Sequence, residues 1–327
     1  GLCGCTAVDR LPFASGDGEH PFADENLGVQ VEDRGETSHD VEAITREVLE
    51  YWVDEAEQYA GFEVGLRFVD DDPDIVFAYV DSPEDCSDVE NYSSEVLGCA
   101  PLLRAGNRVP APVTAHVVAA DRPVGSIRTT AKHELGHILG LDHDAEPREI
   151  MSNRPEDRIP RYEIRVDVWE TVLDGYETMG AAIEDLNTGI DHWNDESYDE
   201  AIDTFDEAQT GFDDARGFFR SASDRSDELD ADPPLETVEY DALDDAFDRL
   251  LGRMGAAADA ARLMGEASAA IDDGDRSTAQ QRVEEANDRL DDYETIGAVE
   301  SREIAIALGL VRGLDREDDD GAVGDGL

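Results

Sequence analysis

The apolar residues of this chain change their period near residue 160, and the change restricts it to two different kinds of core. Upstream, short apolar runs bounded by turn residues read as strands: 27–32 (LGVQVE), 63–69 (EVGLRFV), 74–80 (DIVFAYV) and 112–120 (PVTAHVVAA). Between the first two, Val41, Ile44, Val48, Tyr51, Trp52 and Ala56 fall three and four apart, with Ser38 as N-cap and a stop before Gly61. That pattern predicts an amphipathic helix. A second helix is expected from Gly125-Ser126. The order strand, helix, three strands, helix predicts an α/β (α+β) domain over 25–158. Downstream, apolar residues repeat at threes and fours from Trp169 to Trp193, from Tyr198 to Phe219 and from Leu243 to Met264. A fourth run, Val283, Ala286, Leu290 and Tyr293, resumes at Ile304 and Leu308. Breaks at Asn194-Asp195, Asp232-Pro233-Pro234 and Asp273-Gly274-Asp275 make this an all-α antiparallel helical bundle over 161–313. A tetratricopeptide array fits less well, because no clean 34-residue period is present. Residues 314–327 are Asp- and Gly-rich and are expected to be a disordered acidic tail.

Charge narrows the surroundings. The chain carries 81 acids against 26 bases, a net −55, and only one of the bases is lysine, Lys132. Residues 1–160 hold 34 acids and 12 bases and residues 161–327 hold 47 and 14, so the charge is not a tail effect. Such a surface repels phosphate backbones, which argues against a nucleic-acid partner, and it disfavours adsorption to anionic lipid. Self-repulsion opposes compaction unless molar salt shortens the screening length to about 3 Å. The composition resembles that of proteins from halophilic archaea.

The four cysteines fall into two pairs. Leu2-Cys3-Gly4-Cys5 resembles a lipobox, with Cys5 as lipid anchor and residues 1–24 as a tether. The alternatives are a metal-binding pair, free thiols, or a cysteine that caps a metal. A single lipid chain binds membranes only marginally, so an anchor would need a second. No stretch approaches the ~20 apolar residues of a membrane span. Cys86 and Cys99 lie 13 apart in a loop-like stretch, and a disulfide between them would contribute about 3 kcal/mol in the chain-entropy account. With the sequon Asn91-Tyr92-Ser93 in the same loop, the expected location is extracellular, at the cell surface.

The chemistry concentrates in His133-Glu134-Leu135-Gly136-His137-Ile138-Leu139-Gly140-Leu141-Asp142-His143. On a helix, His133 and His137 project from one face a turn apart and can take two corners of a zinc tetrahedron. Glu134 stands beside them, angled away from ligation and placed to accept a proton from metal-bound water. Gly140 can adopt φ > 0, so the helix can stop and return the chain for His143 to act as third ligand. The fourth position is then left for water, as a catalytic zinc requires.

HExxHxxGxxH is the signature of the metzincin metallopeptidases, which the chain resembles here. The resemblance implies a Met-turn under the metal, for which Met151 is the candidate, and a twisted sheet with one packed helix and the active-site helix. The short spacing to Met151 is most similar to the matrixins, although Asn153 stands where those have Pro. That residue also differs from the Tyr ligand of astacins and serralysins. The implied activity is zinc-dependent endopeptidase action on a protein or peptide substrate. Zinc polarises the scissile carbonyl and Glu134 is the general base. An extended substrate is expected to pair with an edge strand placed in 102–112. Arg154 and Arg158 follow the Met-turn; they either shape the pocket beyond the scissile bond or balance the acidic surface. Asp71, Asp72 and Asp74 are a candidate for a structural Ca2+, without the EF-hand pattern. His116 reads as structural, and His20, His39 and His192 as surface residues. The competing reading makes the bundle the functional part, a cell-surface binding module or a cover that restrains a latent peptidase domain.

Overall fold

The structure, a computed structural model, describes residues 6–7, 19–35, 37–86, 97–106 and 112–310. Cys5, Asn91 and the acidic tail lie outside the described residues. The chain divides into two compact units, one formed by Gly1–Tyr162 with Pro233–Val238, the other by Glu163–Asp232 with Glu239–Leu308. The Asp-Pro-Pro break, expected only to separate two bundle helices, thus contributes Pro233–Val238 to the first unit.

The first unit is mixed α/β. Five strands, β1 (Asn26–Asp33), β2 (Gly65–Phe68), β3 (Ile75–Val80), β4 (Gly98–Cys99) and β5 (Val113–Val118), form a sheet in the order β2-β1-β3-β5-β4. All neighbours are parallel except β4, which runs antiparallel to β5 at the edge. Phe68 pairs with Val29 on one side and Ile75 pairs with it on the other, so β2 covers the first half of β1 and β3 the second. The link between them crosses at Gly28, where a Cβ would stand 2.8 Å from Val69 Cγ2. Asp74 fastens this crossing by accepting the Gly28 N–H at 2.7 Å.

Helix α1 (Val41–Tyr59) is capped by Asp40, whose carboxylate accepts from Ala43 N at 2.9 Å; Ser38 lies two residues too early for that role. Its apolar face, with Val41, Ile44, Val48, Leu49, Trp52 and Ala56, is buried. Helix α2 (Val124–Ile138) buries Ile127, Ala131, Leu135 and Ile138 in the same core, against Phe77, Tyr79, Ala115 and Val117 of the sheet. Trp52 is fully buried and its indole N–H donates to Lys132 O at 2.9 Å, tying α1 to α2. The buried Thr45 hydroxyl donates to Val41 O and lies 2.8 Å from the Tyr79 hydroxyl, so both polar groups are satisfied.

The second unit is helical: α5 (Tyr162–Asn194), α6 (Tyr198–Ser226), α7 (Tyr240–Asp272), α8 (Arg276–Ile296) and α9 (Ser301–Ala307), where α3 and α4 are two short helices of the first unit, Arg148–Met151 and Pro155–Arg158. The fourth apolar run is therefore split into α8 and α9, at Gly297 with φ +80°. Successive long helices are antiparallel. On α5, Gly175, Ala182 and Gly189 lie one heptad apart, and they meet Phe219, Gly211 and Phe205 of α6 in reverse chain order. Phe205, Phe212 and Phe219 are fully buried, each contributing roughly 1.5–3 kcal/mol. Between α7 and α8, Arg253 lies over the Tyr293 ring and Glu266 pairs with Arg282, again in reverse order. At 33, 29 and 33 residues, single helices α5 to α7 nearly fill a whole tetratricopeptide repeat, which excludes that architecture. Among the described residues no helix is long and apolar enough to cross a membrane.

Candidate metal centre

Helix α2 carries His133, Glu134 and His137, all fully buried. After Ile138 the chain reverses at Gly140, which has φ +94°; Gly140 N donates to His137 O at 3.0 Å and Leu141 N to Gly136 O at 2.9 Å. A side chain at Gly140 would be strained at that φ and would also crowd Leu103 O at 3.0 Å. The reversal brings Leu141 O within 2.7 Å of His137 Nδ1, and Ile150 O, farther along, lies 2.7 Å from His133 Nδ1. It also returns His143, whose ring centroid is 5.3 Å from that of His133 and 5.0 Å from that of His137. One ligand atom from each of the three histidines lies within 4.8 Å of the others. Among the described residues no other His, Cys, Asp or Glu group of three gathers in this way.

The hydrogen bonds fix what these rings can do. A carbonyl oxygen only accepts, so His133 and His137 each carry a proton on Nδ1 and, when neutral, present a bare lone pair at Nε2. The two Nε2 atoms face each other at 2.9 Å. Two lone pairs at that separation repel unless a proton or a metal cation lies between them. A proton is disfavoured: burial first, then neighbouring positive charge, pushes His133 well below the ordinary histidine range and His137 down to about 3. His143 is lowered as well, again by burial first. The donor set, three imidazoles of which His133 and His137 have their outer nitrogens held by carbonyls, fits a divalent metal.

Glu134 lies against the sheet edge. A methyl group on Gly98 of β4 would stand 2.8 Å from Glu134 Oε1, so this position has room for the carboxylate only because residue 98 is glycine. Met151 is fully buried beneath α2, and a side chain at Gly136 would run into its sulfur and within 3.1 Å of Trp52. Among the described residues the outermost strand of the sheet on this side is Gly98–Cys99. The range 102–112 does not supply it in its described part, where Pro101–Leu102 instead pairs with Thr6–Ala7. A two-residue strand has too few positions to show alternation in sequence.

The segment carrying His143 and Met151 is braced by a residue that periodicity does not reveal. One Arg148 guanidinium nitrogen donates to His143 O at 3.3 Å, and another donates to Ser152 Oγ at 3.0 Å and to Asp157 at 2.8 Å. Ser152 Oγ donates in turn to Asp157 at 2.6 Å. The sequence signal is only the spacing of Arg148 and Ser152, four apart across α3. Arg148→Met is expected to weaken metal affinity about 10- to 100-fold by loosening His143, without loss of the fold. Competition against a chromogenic chelator measures this, and an unchanged affinity would remove Arg148 from the site.

Other sequence candidates fall elsewhere. Cys86 and Cys99 form a disulfide, with Cα atoms 5.9 Å apart, that fastens β4. Asp74 is engaged at Gly28, and Asp71, Asp72 and Asp74 do not gather as a metal group. His116 is half-buried on β5, and His39 Nε2 lies 2.9 Å from Arg122 O. His192 is half-buried on α5. His20, expected at the surface, stacks on Phe62 at 4.7 Å beside Gly140. Arg154 pairs with Glu156.

The chain matches no protein-family model, no curated protein and no solved structure. Its site consists of three imidazoles that could hold a cation and a buried carboxylate one residue from the first of them.

Proposed function

We propose that the chain is a zinc-dependent endopeptidase of metzincin type. The observation that carries the proposal is the convergence of His133, His137 and His143 at the end of a helix that also bears the buried Glu134. Bound zinc would supply Lewis-acid polarisation of a peptide carbonyl and an acidified water. The chain's own part follows from its residues. Ile150 O and Leu141 O hold the tautomers of His133 and His137, so both offer Nε2 inward. Glu134 takes the proton from the attacking water and delivers it to the leaving amine nitrogen. Strand β4 places Gly98 against Glu134, so the carboxylate sits beside the sheet. Met151 fills the space under the helix that Gly136 leaves open, which supports the Met-turn reading.

The disulfide supports a location outside the cell, and the net charge of −55 supports working conditions of high salt. The test is hydrolysis of a quenched-fluorescent peptide library in ~3 M salt, with and without chelator, with metal content read on the same samples. Cleavage abolished by the chelator and restored by zinc is expected. Cleavage indifferent to the chelator would overturn the reading.

A further inference from the structure

The arginines around the metal centre are not equivalent. Arg148 holds Asp157 at 2.8 Å and Arg154 holds Glu156 at 2.6 Å, so both are occupied by carboxylates of the chain. Arg158, the last residue of α4, has no hydrogen bond or ion pair among the described residues, and its Nε is buried without an acceptor. The acids nearest in sequence, Glu156 and Asp157, pair with Arg154 and Arg148 and leave this half-buried guanidinium without either. A buried donor without an acceptor is disfavoured, the more so on a charged group.

Asp157, the preceding residue, is tied through Arg148 to the carbonyl of His143. Eight residues earlier the same segment supplies Ile150 O to His133. Arg158 therefore belongs to the segment that carries two of the three histidine supports, and its charge acts on His143, His133 and His137.

We propose that Arg158 receives a carboxylate of the bound peptide beside the three-histidine centre. A guanidinium matches a carboxylate with two parallel N–H···O bonds, which gives direction as well as attraction. The rest of the surface repels acidic peptides, so the preference is for one carboxylate at one position, not for acidic sequences in general. That carboxylate belongs either to an Asp or Glu side chain close to the scissile bond or to the free C-terminus of a short leaving segment. The inference rests on the peptidase reading above.

Three quenched-fluorescent peptides cleaved at one bond separate these sources. One carries Glu just beyond the bond with an amidated end, the second carries Gln with an amidated end, and the third carries Gln with a free C-terminal carboxylate. Their kcat/KM is measured with the zinc-loaded wild type, Arg158→Gln and Arg158→Lys, and their binding to zinc-loaded Glu134→Gln is read by fluorescence anisotropy. One of the two carboxylate peptides is expected to exceed the uncharged one by about 10- to 100-fold in both readouts. Arg158→Gln should bring that ratio to about one, and Arg158→Lys, which keeps the charge and loses the fork, should lie between. A ratio near one in the wild type, or the same ratio in Arg158→Gln, overturns the inference while leaving the peptidase reading intact. Absence of both cleavage and binding for all three peptides overturns the two together.

Discussion

Glu134→Gln is expected to lower peptide turnover by about 10²- to 10⁴-fold while bound zinc stays at its wild-type level. The substitution preserves the size of a fully buried side chain and removes only its capacity to take a proton. Because Glu134 is not among the three residues that gather as a ligand set, metal content should not respond. Peptide binding should change little for the same reason, so the loss should fall on kcat. Single-turnover kinetics with metal analysis on the same preparation decides the matter. Turnover retained within a few-fold would sink the assignment of Glu134 as base. Loss of zinc in this variant would instead make Glu134 a ligand.

The second large effect concerns salt. Transfer from ~3 M to ~0.1 M monovalent salt lengthens the screening distance from about 2 Å to about 10 Å and restores repulsion across a surface of net charge −55. The internal ion pairs offer little resistance, since most are exposed pairs such as Arg46–Glu42 and Arg289–Asp292, each worth about 0–1 kcal/mol. A fall in melting temperature on the order of 10 °C or more is expected, equivalent to several kcal/mol for a unit of this size. Thermal unfolding followed by circular dichroism across a salt series, repeated with a neutral osmolyte, measures it. A melting temperature that does not move with salt would show that self-repulsion does not set the stability of this chain.

Much of the architecture was legible because it is periodic. Strands β1, β3 and β5 and the long helices lie within a few residues of where alternation and three-four spacing put them. The His133 to His143 segment announced itself through residue type and spacing, including the glycine at 140 whose positive φ turns the chain. Features created by contact between distant segments left no such trace. Gly98–Cys99 became the sheet edge because it pairs with Val117 and His116, and nothing in a two-residue stretch foretells that pairing. The assignment of Pro233–Val238 to the first unit depends on contacts such as Gly125 N to Glu236 O at 3.1 Å, across more than a hundred residues. Arginine partners were equally hidden: with acids on every side, sequence could not say that Arg154 would be paired and Arg158 would not.

The stacking of α5 on α6 bears on how this protein can be engineered or can drift. Replacing glycine inside a helix by alanine ordinarily stabilises by up to about 1 kcal/mol, so Gly175 and Gly189 are the first positions a consensus or thermostability screen would change. Here a Cβ at either position would stand within 2.7 Å of a buried phenylalanine ring. The gain in helix propensity would be outweighed by overpacking that costs about 1–3 kcal/mol. In this pair of helices two glycines make the room that two phenylalanine rings of the neighbour occupy, and the usual rule for improving a helix reverses sign.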